Sequence, residues 1–443
     1  MKNFFLLVFL YLILLSALVF AASAQTLTLE ESVSLTLANN PRVKAITLET
    51  AKSKQQSTIA RALYLPSVSL AASANHYFQR PVFFGFGEQS NQDQISYGRF
   101  GGEDQLAGGI VFEQALWNPQ AFPIIRQATL REKEADLLLQ EEQVKIVAQV
   151  KQTYLQLLIL TERIKLKQQN LDRNRKVLQD SRILLAQGKA LRIDTLRAYT
   201  SMKNLEPEHL KLQNELATAR LRLAALIGID SLRDISPADS LIIPVPKNLP
   251  DESEVYLITL ASNPAVRRLA LQESIHEQSS RQIQAQRLPV LALTGQYFVQ
   301  SQTNNFDYGN MPLPATSYLG IRIALPLFNG LSVHARGQQS MLQERQSSLL
   351  LKNAEENLRS DVHQLVSAYN ETLSRITIAK TVSETAKLTF DIVQYRYKNG
   401  VSSRLELTDS ELALTQAQSN YLEAIYDYLT TRIRLFELMG KTD

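Results

Sequence analysis

Two related glycine-containing stretches organise this chain. The clearer one is Arg396-Tyr397-Lys398-Asn399-Gly400-Val401-Ser402-Ser403-Arg404-Leu405-Glu406-Leu407-Thr408-Asp409, and a more divergent version occurs earlier as Ala186-Gln187-Gly188-Lys189-Ala190-Leu191-Arg192-Ile193-Asp194. One constant offset pairs Gly188 with Gly400, Asp194 with Glu406, and Gly228 with Gly440. Landmarks repeated in the same order predict an internal tandem repeat, with Gly188 and Gly400 at the tips of two helical hairpins.

A second group of paired landmarks has a slightly larger offset. Asn40-Pro41 recurs as Asn263-Pro264, and Leu65-Pro66 recurs as Leu288-Pro289. The extra length of the first copy lies before Trp117, in a segment rich in glycine and aromatic residues, and insertions concentrate in exposed loops. The pairs predict a first structural repeat at 25–228 and a second at 252–443, joined by a linker at 229–251.

Residues 1–24 have the pattern of a secretory signal peptide. Lys2 precedes an apolar run from Phe4 to Phe20, and Ala22-Ser23-Ala24 supplies the small residues of a cleavage site. An uncleaved membrane anchor is the alternative, because the apolar run reaches the lower limit for a spanning helix. The chain contains no cysteine, which excludes disulfides, thiolate metal sites and a cysteine-linked lipid anchor.

Each Leu-Pro pair marks a predicted change from helix to strand, because proline disfavours the helical conformation of the residue before it. After Pro66 and Pro289, apolar side chains recur at every second position. This period predicts strands at about 67–78, 104–114, 290–300 and 316–327. Strands of this length can cross an outer membrane when tilted.

Aromatic residues are frequent near the predicted strand ends, as expected of girdles at two membrane interfaces. They are Tyr77, Phe78, Phe83, Phe84, Phe86, Trp117, Tyr297, Phe298, Tyr318 and Phe328. A soluble hairpin with one buried face is the alternative. In a barrel wall Arg322 is expected to face the lumen, because a lipid-facing arginine at the midplane costs roughly 2–4 kcal/mol.

Very long helices are predicted between the hairpins. Glycine and proline are nearly absent from about 120–187 and about 331–399, and helices of such length, roughly 100 Å, persist only as coiled coils or bundles. Shorter return helices are predicted at 191–227 and 402–439. Pro207 is expected to kink or restart the first of these.

The composition argues against nucleic-acid binding and catalysis. The net charge is only +4, and charges of both signs alternate along the helical stretches. The five histidines are scattered, without metal-ligand spacing, and no serine lies in a nucleophile-elbow motif. We therefore predict a protein that is not an enzyme and has no cofactor and no metal site.

Carboxylates follow both tip glycines. Glu406 and Asp409 are three residues apart and share one helix face. Repeated around a symmetric oligomer, they would form an acidic ring that selects cations or constricts a pore. The alternative is helix capping, since carboxylates in a first turn favour the helix dipole. For Asp194 the two interpretations are equally supported.

Taken together, these patterns resemble the TolC family of outer-membrane efflux proteins. The resemblance covers nearly all of the predicted mature chain and rests on four sets of residues. They are Leu29-Glu30-Glu31-Ser32 through Asn39-Asn40-Pro41, the strands after Leu65-Pro66, Leu327-Phe328-Asn329-Gly330, and Tyr397-Lys398-Asn399-Gly400 with Leu405-Glu406-Leu407.

The resemblance implies an α+β membrane protein in which a long α-helical coiled-coil barrel adjoins a transmembrane β-barrel. The family is trimeric, and each protomer with its internal tandem repeat gives four strands to a twelve-stranded barrel. The linker at 229–251 would lie in the equatorial region. The residues themselves require oligomerisation, because four strands cannot close a barrel, but they do not fix the number of copies.

Residues that have roles in the TolC family can be matched to positions at the helix tips of this chain. Glu406 and Asp409 match the acidic constriction at the periplasmic entrance, with Asp194 as the corresponding acid of the first repeat. Tyr397 matches a tyrosine of the gate network. Ser402 occupies the position of a gate arginine, and Arg404, two residues later, could form the salt bridge to Asp194.

The function implied is a passive outer-membrane channel and periplasmic tunnel, the exit duct of a tripartite efflux pump, opened by iris-like movement of the helix tips. Its partners would be two further copies, a periplasmic membrane-fusion adaptor, an inner-membrane transporter and outer-membrane lipid, with no nucleic acid. A type I secretion exit duct is the family variant that the sequence leaves open. A soluble periplasmic coiled-coil scaffold or adaptor is the alternative from another class.

Overall fold

The computed structural model describes residues 25–84, 97–229, 235–241, 251–304, 311–399 and 401–442. The chain divides into two compact units. The first unit contains the described residues up to Glu49, then Asp136–Arg268, and those from Lys352 onward. The second unit contains Thr50–Ala135 and Leu269–Leu351. The predicted signal peptide lies outside the described residues.

Helices account for most of the described chain. They are α1 Leu29–Asn39, α2 Pro41–Arg61, α3 Ala121–Ala186, α4 Arg192–Ile227, α5 Glu252–Ser262, α6 Pro264–Ala285, α7 Ser332–Lys398 and α8 Arg404–Leu438. Among the described residues, no helix combines the length and the apolar character that a membrane span requires.

Among the described residues, four strands have three residues each, and four longer strands lie in the second unit. They are β1 Gln25–Leu27, β2 Ser67–His76, β3 Val82–Phe84, β4 Tyr97–Arg99, β5 Asp104–Trp117, β6 Ile235–Pro237, β7 Val290–Thr303 and β8 Ala315–Ala324. The four long strands form one antiparallel sheet in the order β2-β5-β7-β8. β1 pairs in parallel with β6, and β3 pairs antiparallel with β4.

The four-stranded sheet has one apolar face and one mostly polar face. Directly opposite residues in an antiparallel pair share a face, so the register places Leu70 with Ile110, and Leu293 with Ile321. The apolar side chains stay exposed within the chain, with Leu70 at 80% and Ile321 at 65% of full exposure. On the opposite face, Arg322 forms an ion pair with Glu113 of β5.

Several strand ends differ from the sequence-based expectation. β8 ends at Ala324 and not at about 327, because Pro326 has no N–H group to continue the ladder. β7 extends to Thr303, so Tyr297 lies inside the strand and not at its end. β5 likewise continues to Trp117, beyond the predicted end at about 114.

Two other segments add detail to the expectations. Within the segment predicted as a linker, 229–251, Ile235–Pro237 forms β6, which pairs with β1. Of the two outcomes expected at Pro207, a kink or a restart of the return helix, the restart does not occur, since α4 runs from Arg192 to Ile227 with Pro207 inside it. Ion pairs secure the turns beside it: Lys203 binds Glu206 at 2.8 Å, and Glu208 binds Lys167 of α3 at 2.5 Å.

Side-chain packing in the first unit gives the helix order α4, α3, α8, α7. Leu178 of α3 packs against Met202 of α4, and Ile159 of α3 packs against Ile425 of α8. Buried Tyr369 of α7 and Tyr428 of α8 lie with their hydroxyl oxygens 3.1 Å apart. Within the described residues, no hydrophobic cluster joins α4 to α7.

The repeated Asn-Pro and glycine landmarks meet in a polar clasp, one in each half. In the first, the Asn40 side-chain amide donates to the Leu226 carbonyl at 2.7 Å, next to Gly228 at the end of α4. The corresponding Asn263 donates to the Leu438 carbonyl at 2.9 Å. Each asparagine also caps the helix that follows it, because its side-chain oxygen accepts backbone N–H groups of that helix.

Each clasp requires its glycine. Gly228 and Gly440 adopt φ values of +75° and +68°, a left-handed conformation that other residues reach only at a cost. A Cβ on Gly440 would lie 2.9 Å from both Pro264 Cδ and the Ser262 carbonyl oxygen. The backbone therefore approaches too closely at this point for a side chain.

Candidate functional site at the helix tips

The two hairpin tips are closed by equivalent backbone hydrogen bonds. Lys189 N–H donates to the Leu184 carbonyl at 2.8 Å, and Val401 N–H donates to the Arg396 carbonyl at 2.9 Å. This bond satisfies a carbonyl at each helix end. At the first tip, Gly188 has φ of +71° and open space around its Cα. Gly400, the predicted second tip residue, lies outside the described residues.

Glu406 lies in the first turn of α8 and is exposed. Its carboxylate accepts a hydrogen bond from the Ser402 hydroxyl, and its own N–H donates to Ser403 Oγ at 3.2 Å. The Ser402 hydrogen bond, assisted by Ser403 and the Arg396 charge, lowers the pKa of Glu406 below its usual range. The carboxylate therefore keeps its negative charge under mildly acidic conditions, while the Ser403 side chain caps the helix.

The other predicted acids occupy different environments. Asp409 is exposed on α8, one turn after Glu406. Asp194 is half-buried, and its carboxylate accepts the Leu191 N–H at 3.2 Å, which is the capping arrangement. Arg404 and Asp194 form no ion pair with each other in the described part of the chain. The salt bridge that the sequence allows is thus not formed within a single copy.

Tyr397 takes part in packing. Its half-buried ring contacts a cluster made by Phe390 of α7 with Leu407 and Leu414 of α8. This cluster joins the two helices directly beside the second tip. Tyr397 therefore helps to fix the angle at which α7 and α8 meet.

A polar network that the sequence analysis did not identify connects α3 to α8. Arg173 Nε of α3 lies 3.0 Å from Glu411 Oε1 of α8, and both side chains are largely buried, at 26% and 12% exposure. Asn174 donates to the same carboxylate at 3.3 Å, and Asn170 donates to Thr415 Oγ1 at 3.4 Å. The Arg173 guanidinium also lies 5.8 Å from the ring centroid of Phe390 on α7.

The predicted helix-to-strand transitions lie in the second unit. Pro66 falls between a short 3₁₀ turn that ends at Tyr64 and the first residue of β2, Ser67. Pro289 falls between the end of α6 and the first residue of β7, Val290. Both prolines immediately precede strands of the four-stranded sheet.

Comparison with known proteins agrees with this architecture. The sequence profile of the family described as "Outer membrane efflux protein" matches residues 32–229 and 255–441, which is most of the chain. The chain belongs to this family. Members of the family are channel proteins and not enzymes, and their location is the outer membrane with an extension into the periplasm. The soluble scaffold considered above is therefore excluded.

Individual relatives share a low sequence identity with this chain, but their alignments cover most of its length. The alkaline protease secretion protein AprF of Pseudomonas aeruginosa is 24% identical over 432 residues, covering 95% of this chain and 86% of AprF. The proteases secretion protein PrtF of Dickeya chrysanthemi is 23% identical and covers 75% of this chain and 70% of PrtF. The crystal structure of the outer membrane protein VceC of Vibrio cholerae has a TM-score of 0.75 at 17% identity, covering 93% of this chain and 96% of VceC.

Proposed function

We propose that this protein is a passive outer-membrane channel and periplasmic tunnel that serves as the exit duct of a multi-protein export system. The observation that carries the proposal is the exposed apolar face of the four-stranded sheet. A soluble chain rarely exposes a continuous apolar surface of this kind. A lipid-facing strand surface with a polar surface opposite it is the arrangement of a transmembrane barrel wall.

Unpaired edges support assembly of several copies into a ring. β2 and β8 are the outer strands of the sheet, and each presents an unpaired row of backbone N–H and C=O groups. In lipid such groups need partners, so β8 of one copy would pair with β2 of the next. Three copies of four strands would give the twelve-stranded barrel that the family resemblance implies.

The same reasoning applies to the helices of the first unit. α4 and α7 are the end helices of the order α4, α3, α8, α7, and each exposes apolar residues. On the part of α7 in this unit they include Ile378, Val382, Leu388, Ile392 and Tyr395. Packing of α7 against α4 of the next copy would close a helical tunnel by a head-to-tail contact.

The tips would then form the constriction at the periplasmic entrance. Glu406, Asp409 and Asp194 would contribute an acidic ring, and Tyr397 and Arg404 would belong to the gate network. Opening would be an iris-like shift of the tip helices between two packed arrangements. A periplasmic membrane-fusion adaptor and an inner-membrane transporter would bias that equilibrium and supply the energy.

Protein secretion is the export process that the relatives favour. AprF and PrtF are named for protease secretion, and the AprF alignment spans nearly the whole chain. We therefore place a type I secretion duct first and drug efflux second. The second is supported by the description of the family as efflux proteins.

The membrane assignment can be tested by placing one arginine on each face of the sheet. Ile321→Arg puts a charge on the apolar face, whereas Thr294→Arg puts one on the polar face. We expect Ile321→Arg to abolish recovery in outer-membrane fractions and currents in planar bilayers, because the lipid-facing charge costs roughly 2–4 kcal/mol per chain. Thr294→Arg should insert normally. Equal insertion of both variants would contradict the barrel.

The cargo assignment needs a secretion experiment. The chain would replace the resident duct of a type I protease secretion system and, separately, that of a drug efflux pump. Protease in the culture medium without restored drug resistance would support the secretion duct. Restored resistance without secretion would support efflux.

A further inference from the structure

A cavity of about 380 Å³ lies in the first unit, away from the helix tips. It opens between α3, α8 and the chain around Asp239. Its surface is mostly apolar, from Leu155, Leu158, Leu429, Ile433 and Phe436. The volume falls within the range of small-molecule sites.

Hydrogen bonds to the Asp239 carboxylate hold one wall of the cavity together. The Tyr154 hydroxyl lies 2.7 Å from Asp239 Oδ2, and the Leu29 N–H donates to the same oxygen at 2.9 Å. Burial, together with the Asp239 hydrogen bond, raises the pKa of Tyr154, so the phenol stays neutral. Asp239 Oδ2 is thus already used in holding the wall together.

The remaining polar groups around the cavity are mainly cationic. Lys151, Arg432 and Lys441 line it. Lys151 Nζ donates to the Thr442 carbonyl at 2.5 Å. The Arg432 guanidinium lies 5.4 Å from the Phe436 ring centroid, and Arg432 has no ion pair within the described residues. Burial raises the pKa of the remaining acid, Glu437, and the cations that act on its carboxylate are Lys145 and Arg434, which do not line the cavity.

We propose that this cavity binds an amphiphile with a compact apolar body and a single anionic head. The body would contact Leu158 and Phe436, and the head would bind Arg432. A guanidinium suits a carboxylate or sulfonate head because it presents a planar fork of N–H donors. This inference does not depend on the proposed channel function, since every wall residue belongs to one chain and the test measures binding alone.

The first experiment is isothermal titration of the full-length protein, purified in non-ionic detergent, with 2-naphthoate and with its neutral analogue 2-naphthylmethanol. We expect saturable binding of one naphthoate per chain and binding of the neutral analogue at least about tenfold weaker, because a hydrogen bond to a charged group is lost. Absence of saturable naphthoate binding, or equal binding of both compounds, would overturn the proposal.

Variants locate the binding on the protein. Arg432→Gln should weaken naphthoate binding about tenfold. Arg434→Gln is the matched control, because Arg434 is an exposed arginine on the same helix that does not line this cavity. Leu158→Trp should remove binding by filling the space. Equal effects of the two arginine substitutions would refute the site, even if Leu158→Trp failed to fold.

Discussion

The contact between Arg173 and Glu411 offers the sharpest test of how the tips are held. The N–O distance is 3.0 Å, and the side chains are 26% and 12% exposed, so water screens this pair less than an open surface pair. Hydrogen bonds to charged groups are worth about 1.5–3 kcal/mol. Glu411→Gln keeps the shape and an acceptor oxygen but removes the charge. We expect it to weaken the attachment of α3 to α8 by about 1.5 kcal/mol, near the lower end of that range.

If this attachment holds the closed arrangement of the tips, its loss changes channel opening. A change of 1.4 kcal/mol corresponds to a tenfold shift in an equilibrium constant. Single-channel recording should therefore show an open-to-closed ratio about tenfold higher in Glu411→Gln than in the parent protein. Thermal unfolding followed by circular dichroism would report the accompanying loss of stability.

An ion pair within one helix provides the control. Lys387 Nζ and Asp391 Oδ1 of α7 lie 2.5 Å apart, at 56% and 48% exposure, beside the same Phe390 ring. Such pairs contribute about 0.2–0.5 kcal/mol and join no second helix. Asp391→Asn should leave opening unchanged. The reasoning fails if both variants raise opening equally, or if Glu411→Gln changes neither opening nor stability.

Further predictions concern the tip acids and the clasp. Combined Glu406→Ala and Asp409→Ala should raise single-channel cation conductance or change its selectivity; unchanged currents would contradict the constriction. Because the pKa of Glu406 is lower in the folded protein than in the unfolded chain, its ionised carboxylate stabilises the fold at any pH above the ordinary carboxyl pKa. This stabilisation is lost as the pH falls through the lowered pKa of the folded protein. Ser402→Ala should therefore raise the pKa of Glu406 and move its acid-induced loss of cation selectivity to higher pH. Gly440→Ala should destabilise the chain by about 2 kcal/mol, measured by urea unfolding. The control Gly337→Ala, in open space within α7, should stabilise it by about 0.5–1 kcal/mol.

Features that depend on local geometry were accessible from the sequence. The alternation after Pro66 and Pro289 predicted which side chains share a sheet face, because successive residues of any strand point to opposite sides. It also predicted that Arg322 lies opposite the apolar face, where the structure pairs it with Glu113. The end of β7 was not accessible in this way, because the pairing of Thr303 with the distant Asp104 determines it.

Features that depend on long-range contact escaped the sequence analysis. Asn40 and Gly228 were both recognised as repeated landmarks, but nothing local indicates that residues so far apart meet in one clasp. Arg173 is one of many charges on a long helix, and only the packing of α3 against α8 distinguishes it. Burial of its partner Glu411 has no counterpart in the charge pattern of the sequence.

The two clasps have a mechanical consequence. Each clasp holds the last turn of a return helix against the start of another helix. It can therefore act as the fixed point about which that return helix, which extends to the tip, rotates. From Arg404 to Leu438, α8 has 35 residues, a lever of about 50 Å. Tilting such a lever by about 5° would carry its far end roughly 4 Å, from the helix rise alone. The hydrogen bond of a single asparagine amide beside a glycine thus fixes the point about which α8 rotates, so a slight rotation there becomes a large displacement at the tip.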